Sequence, residues 1–169
     1  MLNDAIKLFL EDVAVKEAIQ NMDIEEVYRL AGSNLSWQLT SYFVNDIGFN
    51  PLEHLTVVPP YYMQQEMKLT NLTIPGNVKR VEHNAFNHCY NLGVVNVEEG
   101  VVTLEPNAFY LAKIWKLRLP RSIQDFYLGS IKNPDGEIEY AGTIGDFRLR
   151  FGHRDFSAYK VICSDGEYK

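Results

Sequence analysis

The sequence is poor in the features that cross-link a chain or place it in a membrane. It has two cysteines in 169 residues, Cys89 and Cys163. Neither stands in a CxxC motif or near a histidine at metal-ligand spacing, which argues against a disulfide framework and a zinc site. No apolar stretch approaches the roughly 18 residues of a membrane helix, and the N-terminal residues lack the basic region and apolar core of a secretory signal. We therefore predict reduced thiols, no membrane contact and a cytoplasmic location.

The sequence also lacks a recognisable catalytic motif. Its four histidines are scattered and form no HExxH or other ligand spacing; they are His54, His83, His88 and His153. The segment 142–145 lacks the lysine of a phosphate-binding loop. The adjacent carboxylates Glu98 and Glu99 would point to opposite faces of a strand. We therefore predict that the protein is not an enzyme and has no catalytic, cofactor-binding or metal-binding residues.

Positive charge is scarce in the N-terminal part of the chain. The formal net charge is −6, and residues 1–68 contain ten acids and four bases, which gives this part alone a charge of −6. Residues 69–126 and 127–169 carry +1 and −1. Phosphate contacts need clustered lysine and arginine, so this distribution argues against DNA binding by the N-terminal part.

What the sequence does contain is a repeating pattern with a period of roughly 23 residues, which is typical of a solenoid in which each repeat forms one coil. Three apolar ladders with the same internal spacing begin at Leu69, Leu92 and Ile114. A second landmark, Asn84-Ala85-Phe86, returns in the same register as Asn107-Ala108-Phe109. Weaker matches place the start of the solenoid near residue 55.

Each repeat predicts a short strand, a turn and an apolar interior. Strands such as 72–74 and 117–119 alternate between apolar and polar residues, so their polar side chains should form an outward row across neighbouring coils. Pro75 and Pro120 should end their strands, because proline removes a ladder donor. Phe86 and Phe109 should stack inside the coils. The outward row comprises Asn71, Thr73, Val94, Asn96, Lys116 and Arg118.

The segments on either side of the repeats are predicted to form caps. Residues 1–51 contain short amphipathic helices: one from Asn3 with Ile6 and Val13 on its apolar stripe, one from Asp23 to Gly32, and one from about residue 35 to Gly48. In residues 127–169 the sequence predicts a turn at 133–136, a strand at 138–140, a short helix or turn at 143–151 and a closing strand at 159–163. This last stretch departs from the period and is interpreted as an irregular C-terminal cap.

The pattern from Leu69 to Leu92, L-x-x-L-x-I-P-x-x-V-x-x-V-x-x-x-A-F-x-x-C-x-x-L, resembles the BspA-type, or Treponema-type, leucine-rich repeat. The resemblance extends over roughly residues 52–166. It implies an α+β fold with a leucine-rich-repeat solenoid of stacked parallel strands over 52–126, a helical N-terminal cap over 1–51 and an irregular C-terminal cap over 127–169. Small repeat proteins of this kind with a helical cap and no export signal look most similar to bacteriophage-encoded members.

These observations predict a non-enzymatic protein-interaction module. Its partner would be a host or viral protein, and one version of the hypothesis is that the acidic helical cap inhibits a host defence nuclease in the host cytoplasm. The predicted partner-binding residues are Asn71, Thr73, Asn96, Lys116 and Arg118. Two alternatives remain at this point. The protein could be a structural or assembly component of a virion, or a nucleic-acid-binding accessory protein that uses Arg148, Arg150 and Arg154.

Overall fold

Two sheets, parallel except for the last strand of the larger one, wind together around one apolar core. The computed structural model describes residues 4–127 and 136–169. The helices are α1 (Asp4–Glu11), α2 (Val13–Gln20), α3 (Ile24–Ser41) and α4 (Ile144–Phe151), with a π-helical turn at Tyr42–Asp46 and a 3-10 helix at Pro51–His54. The strands are β1 (Val57–Val58), β2 (Asn71–Ile74), β3 (Arg80–Val81), β4 (Val94–Val97), β5 (Thr103–Leu104), β6 (Lys116–Leu119), β7 (Glu137–Tyr140), β8 (Lys160–Cys163) and β9 (Gly166–Tyr168).

The register of the strands reproduces the sequence period. In the small sheet, ordered β1-β3-β5, Val58 pairs with Val81 and Val81 pairs with Leu104, so each step between strands equals one repeat. In the large sheet, Thr73 pairs with Asn96 and Asn96 with Arg118. All of these pairings are parallel, as a solenoid requires. The predicted solenoid of stacked parallel strands is therefore confirmed, with its first strand close to the predicted start at residue 55.

The interior of the coils is a column of apolar side chains with stacked rings at its centre. Phe86 and Phe109 are both buried, and their ring centroids lie 5.3 Å apart with an interplanar angle of 8°. The predicted stacking of these two rings is confirmed. The column continues through residues that fill the inner side of each strand and turn: Leu72, Ile74, Val78, Val81, Val95, Val101, Ile114, Leu117 and Ile123.

The first coil fills the aromatic layer with a different residue from the one that the repeat indicates. Met63 is the backbone equivalent of Phe86, and its N–H donates to Ala85 as that of Phe86 donates to Ala108. Met63 is nevertheless only partly buried, whereas the preceding residue, Tyr62, is fully buried. The Tyr62 ring lies 5.9 Å from that of Phe86 and 5.6 Å from that of Tyr28 on α3. Tyr62 thus joins the solenoid core to the helical cap.

The helices of the N-terminal cap begin and end differently from the prediction in two places. The stripe predicted to run from Ile6 to Val13 belongs to two helices, because Asp12 ends α1 and caps α2 by accepting from the N–H groups of Ala14 and Val15. Val13 is consequently 80 % exposed rather than buried. Gly32, the predicted helix end, has a φ of 61° and introduces a kink within α3. The predicted cap at Asn3 lies outside the described residues.

The large sheet continues beyond residue 126, where the sequence period breaks. Strand β7 pairs in parallel with β6 through Glu139 and Arg118, and β8 pairs in parallel with β7. Only β9 reverses direction and pairs antiparallel with β8. The C-terminal region is irregular on the other side of the coil, where helix α4, whose N-cap is Thr143, stands in place of the second apolar ladder. Residues 133–135 of the predicted turn lie outside the described residues.

No helix within residues 4–127 and 136–169 is both long and apolar enough to cross a membrane.

Candidate functional site

The outward row predicted from the sequence exists and is longer than predicted. One line of paired residues runs through Asn71, Val94, Lys116, Glu137 and Lys160. A second line, two residues along each strand, runs through Thr73, Asn96, Arg118, Glu139 and Ile162. All five predicted binding residues lie on this face, which we call the sheet face. Strands β7 and β8 extend the sheet face by four residues that the repeat pattern did not predict: Glu137, Glu139, Lys160 and Ile162.

Ion pairs across neighbouring strands order the charged half of the sheet face. The Lys116 Nζ lies 2.8 Å from Glu137 Oε1 and 2.7 Å from Glu139 Oε1. Arg118 pairs with the same Glu139 through Nε at 2.5 Å and donates from Nη1 to Asn96 Oδ1 at 2.8 Å. Lys160 completes the network through Glu137. The two predicted cations are therefore paired with acids of β7, and the whole network, with three bases and two acids, keeps a net charge of only +1.

The network changes the proton affinity of its central carboxylate. Hydrogen bonds from Lys116, and then from Arg118, lower the pKa of Glu139 to about 2, against some desolvation that acts in the opposite direction. Hydrogen bonds to Glu137, and then to Glu139, raise the pKa of Lys116. Opposite charge and hydrogen bonding to the charged form both favour ionisation of a carboxylate.

We predict that this network makes stability depend on pH in the acid range. The pKa of Glu139 is lower in the folded chain than its ordinary value of 4.5, so its contribution is fully present above about pH 4.5 and is lost as the pH falls towards 2. The variant Glu139→Gln should be less stable than wild type at pH 7 by about 1 kcal/mol, because the pair is partly screened by solvent. Urea unfolding at pH 7, 4 and 2.5 measures the difference, which should shrink with acidification. A constant difference would contradict the assignment.

Several acidic residues of the N-terminal helices, and two of the arginines considered for nucleic-acid binding, make hydrogen bonds or ion pairs within the fold. Asp12 and Asp23 cap helices, and Glu25 accepts a hydrogen bond from the Thr56 N–H at 2.6 Å. At the other end, Arg154 pairs with Asp125 and donates to the carbonyl of Phe126. Arg150 pairs with Asp146 and donates to the carbonyls of residues 121 and 123.

The phenyl rings of the C-terminal cluster are buried, so they are not available for stacking on bases. Phe147, Phe151 and Phe156 pack against one another, with ring centroids of Phe147 and Phe156 4.9 Å apart. The arrangement closes the end of the solenoid, where a last coil would otherwise expose apolar surface. These three phenyl rings therefore do not support the hypothesis that this segment binds nucleic acid by stacking on bases.

Two clefts lie at the junction between the helical cap and the first coil. One, of about 490 Å³, is lined by Trp37 and Val44 of the cap and by Met63 and Leu69 of the coil. The other, of about 620 Å³, lies between the first half of α3 and the turn containing Pro59 and Pro60. Trp37 lies in the segment predicted to form the helix towards Gly48, and its side chain is 44 % exposed. Sequence periodicity alone gave no signal for this cleft.

The two cysteines are buried, and their thiols have raised pKa values. Cys89 is buried, donates to the carbonyl of Met63 at 3.0 Å, and has its pKa raised to about 11 by desolvation. Burial also raises the pKa of Cys163. Thiols with raised pKa values are poor nucleophiles. Within the described ranges, no three His, Cys, Asp or Glu side chains converge to hold a metal ion.

Comparison with known proteins supports the architecture. Residues 56–133 match the family model described as "BspA type Leucine rich repeat region (6 copies)". Searches of curated proteins and of solved structures gave no match. The matched segment contains the coils whose parallel register and stacked phenylalanines are described above. The central part of this chain is therefore a BspA-type leucine-rich repeat region.

Proposed function

We propose that this protein is a non-catalytic protein-interaction module that binds its partner through the sheet face. Leucine-rich repeats in general suggest a protein-interaction module, because stacked repeats form an extended surface. The observation that carries the proposal is the constant register of the outward residues over five parallel strands, from Asn71 to Lys160. This register presents polar side chains at fixed spacing on a packed core.

The charge of the sheet face favours a protein over a nucleic acid as the partner. Lys116 and Arg118 are paired with Glu137 and Glu139, so they do not offer free positive charge to phosphates. The other half of the face, around Asn71 and Thr73, is uncharged and exposed. A surface that combines neutral polar groups with paired charges is typical of the polar part of protein interfaces.

The finer form of this proposal concerns the partner. The resemblance to small phage-type repeat proteins supports a chain that is encoded by a bacteriophage and acts in the host cytoplasm, where it binds a host or viral protein. The excess of acids in residues 1–68 supports inhibition of a host defence protein with a basic groove. Glu17 is an exposed acid of α2 on the cap surface that would face such a groove.

The proposal predicts that one additional charge in the middle of the sheet face strongly weakens partner binding. Asn96→Arg adds a second guanidinium beside Arg118, and we expect at least roughly tenfold weaker binding, as is usual at the centre of an interface. The tagged protein is used to capture its partner from cells in which it is expressed, and the captured protein is then titrated against purified variants. The finer form requires that this captured protein belong to a host defence system.

Leu149→Arg is the matched control for this experiment. Leu149 lies on α4, away from the sheet face, and is 85 % exposed, so the same charge there should leave binding unchanged. Equal affinity of wild type and Asn96→Arg would contradict the proposal. A partner lost with both variants would indicate a nonspecific charge effect and would contradict it as well.

A further inference from the structure

The first strand of the large sheet has one open side. Strand β2 lies at the end of the order β2-β4-β6-β7-β8-β9 and pairs only with β4. The N–H groups of Val94 and Glu98 donate to the carbonyls of Thr70 and Ile74. Because alternate residues of a strand bond to opposite neighbours, Asn71 and Thr73 direct their backbone N–H and C=O groups away from β4. Within the described residues, these backbone groups have no hydrogen-bond partner.

The segment one repeat before β2 forms no strand and does not pair with β2. One repeat before β2, counted back from Asn71, stands Gly48. The segment 48–50 lines one wall of a groove of about 350 Å³, and Asn71 and Thr73 line the other. No backbone hydrogen bond crosses this groove in the described part of the chain. Free backbone groups along a groove are a template for one more strand.

The groove continues into the 490 Å³ cleft at the cap. Val44, Met63 and Leu69 line both the groove beside β2 and the 490 Å³ cleft that contains Trp37. An extended segment along β2 can therefore place an apolar side chain against the exposed indole of Trp37. Exposed aromatic side chains in a concave site are the usual centres of binding energy.

The charge around the groove defines the chemistry of the occupant. The 490 Å³ cleft is lined by one acid and one base, Glu66 and Lys68, whereas residues 42–54 on the cap side of the groove contain two acids, Asp46 and Glu53, and no lysine or arginine. Asp46 and Glu53 are exposed and belong to the segments that form the cap side of the groove. An occupant with positive charge is therefore complementary, and one with negative charge is repelled.

We propose that the open edge of β2 binds an extended, basic segment of the partner protein as an additional strand, with one apolar side chain in the Trp37 cleft. This inference rests on the proposed function and specifies how the partner is recognised. Main-chain hydrogen bonds to Asn71 and Thr73 supply affinity, and the cleft and the acidic surroundings supply selectivity.

Two segments of the solenoid itself can be made as peptides to probe this site, because each contains one strand and the two differ in charge. Residues 113–121 (KIWKLRLPR) contain strand β6 and carry four bases and no acid. Residues 93–100 (GVVNVEEG) contain strand β4 and carry two acids and no base. Both strands pair in parallel in the folded protein, so they differ chiefly in charge. In the folded chain β6 is paired on both sides, by β4 and β7, so a second copy cannot offer this segment.

The test is fluorescence anisotropy of the two labelled peptides and of a scrambled 113–121 peptide with the full-length protein. We expect the 113–121 peptide to bind at least about tenfold more tightly than the other two, with affinity that falls as salt screens the acidic groups. Equal binding of the scrambled peptide would show a charge effect without strand pairing and would overturn the inference. Absence of binding by the 113–121 peptide would overturn it too.

Two pairs of variants locate the binding. Thr73→Pro removes the open-edge N–H without removing a ladder bond, since proline is tolerated where this group faces solvent; Thr73→Val keeps it. Trp37→Ala removes the indole from the cleft, and Trp115→Ala removes the other tryptophan, which is 50 % exposed and does not line the cleft. Thr73→Pro and Trp37→Ala should each weaken binding of the 113–121 peptide by about tenfold. Thr73→Val, which keeps the N–H, should weaken binding less than Thr73→Pro does, and Trp115→Ala should leave it unchanged.

The outcomes separate this inference from the proposed function. Circular dichroism and thermal unfolding first establish that each variant is folded. If Thr73→Pro binds the peptide as wild type does, the edge is not the site and the inference is wrong, even where Asn96→Arg still abolishes partner capture. If the peptide results are as expected but Asn96→Arg leaves capture intact, the edge binds peptides and the sheet face is not the partner surface.

Discussion

Replacing Phe86 by alanine is expected to lower the free energy of unfolding by about 3–5 kcal/mol. The Phe86 side chain is completely buried, lies parallel to the ring of Phe109 at 5.3 Å, and contacts the ring of Tyr62 edge-on at 5.9 Å. Its removal leaves a cavity between two coils whose backbones are joined by hydrogen bonds and cannot close over it. Urea denaturation monitored by far-UV circular dichroism measures the loss.

Leu149→Ala provides the control for the Phe86 prediction, because Leu149 is 85 % exposed and its truncation should change stability by less than about 0.5 kcal/mol. Phe86→Leu should lie between the two, since leucine retains most of the apolar volume. A loss below about 1 kcal/mol for Phe86→Ala would mean that the aromatic column contributes little to the solenoid core, contrary to the packing described above.

Replacing Gly100 by alanine is expected to cost about 2–5 kcal/mol, for two reasons that act together. Gly100 has a φ of +113°, a conformation that residues with a Cβ rarely adopt. In addition, a Cβ at this position would lie 2.4 Å from the carbonyl oxygen of Gly76 in the neighbouring coil. Because the atom that it would meet belongs to the backbone, relief requires the two coils to move apart. Thermal unfolding and urea denaturation measure the effect.

Gly48→Ala separates the two causes. Gly48 also has a positive φ, +68°, but a Cβ there would meet no atom within 4 Å. Its substitution should therefore cost only the conformational component, about 1 kcal/mol. Equal losses for Gly48→Ala and Gly100→Ala would contradict a role for close contact between the coils at residues 76 and 100.

The sequence was informative wherever a repeat had two independent landmarks. The apolar ladder and the Ala-Phe element were each sufficient to set the register, and together they predicted that Phe109 lies over Phe86. The same spacing placed Thr73, Asn96 and Arg118 in one outward line. Such predictions succeed because the side-chain alternation of a strand and the length of a coil are local properties.

The sequence was less informative outside the repeats, where the apolar ladder and the Ala-Phe element are absent. Strands β7 and β8 were predicted as strands, but their parallel pairing with β6 was not, because helix α4 replaces the second apolar ladder in this part of the chain. The ion pairs of Lys116 with Glu137 and Glu139 depend on that pairing and were missed with it. The break between α1 and α2 was missed because Asp12 fits a helical pattern on either side.

The sequence by itself determined that this chain forms a solenoid, which residues fill the interior and which side chains project from the strands, because each of these follows from a periodic pattern of apolar residues. Only the tertiary structure decided that Lys116 and Arg118 pair with acids of β7, that the sheet extends to β9, and that β2 lies at the edge of its sheet next to a groove. These features arise from contacts between segments far apart in the chain, and such contacts depend on how the caps meet the coils rather than on local residue spacing.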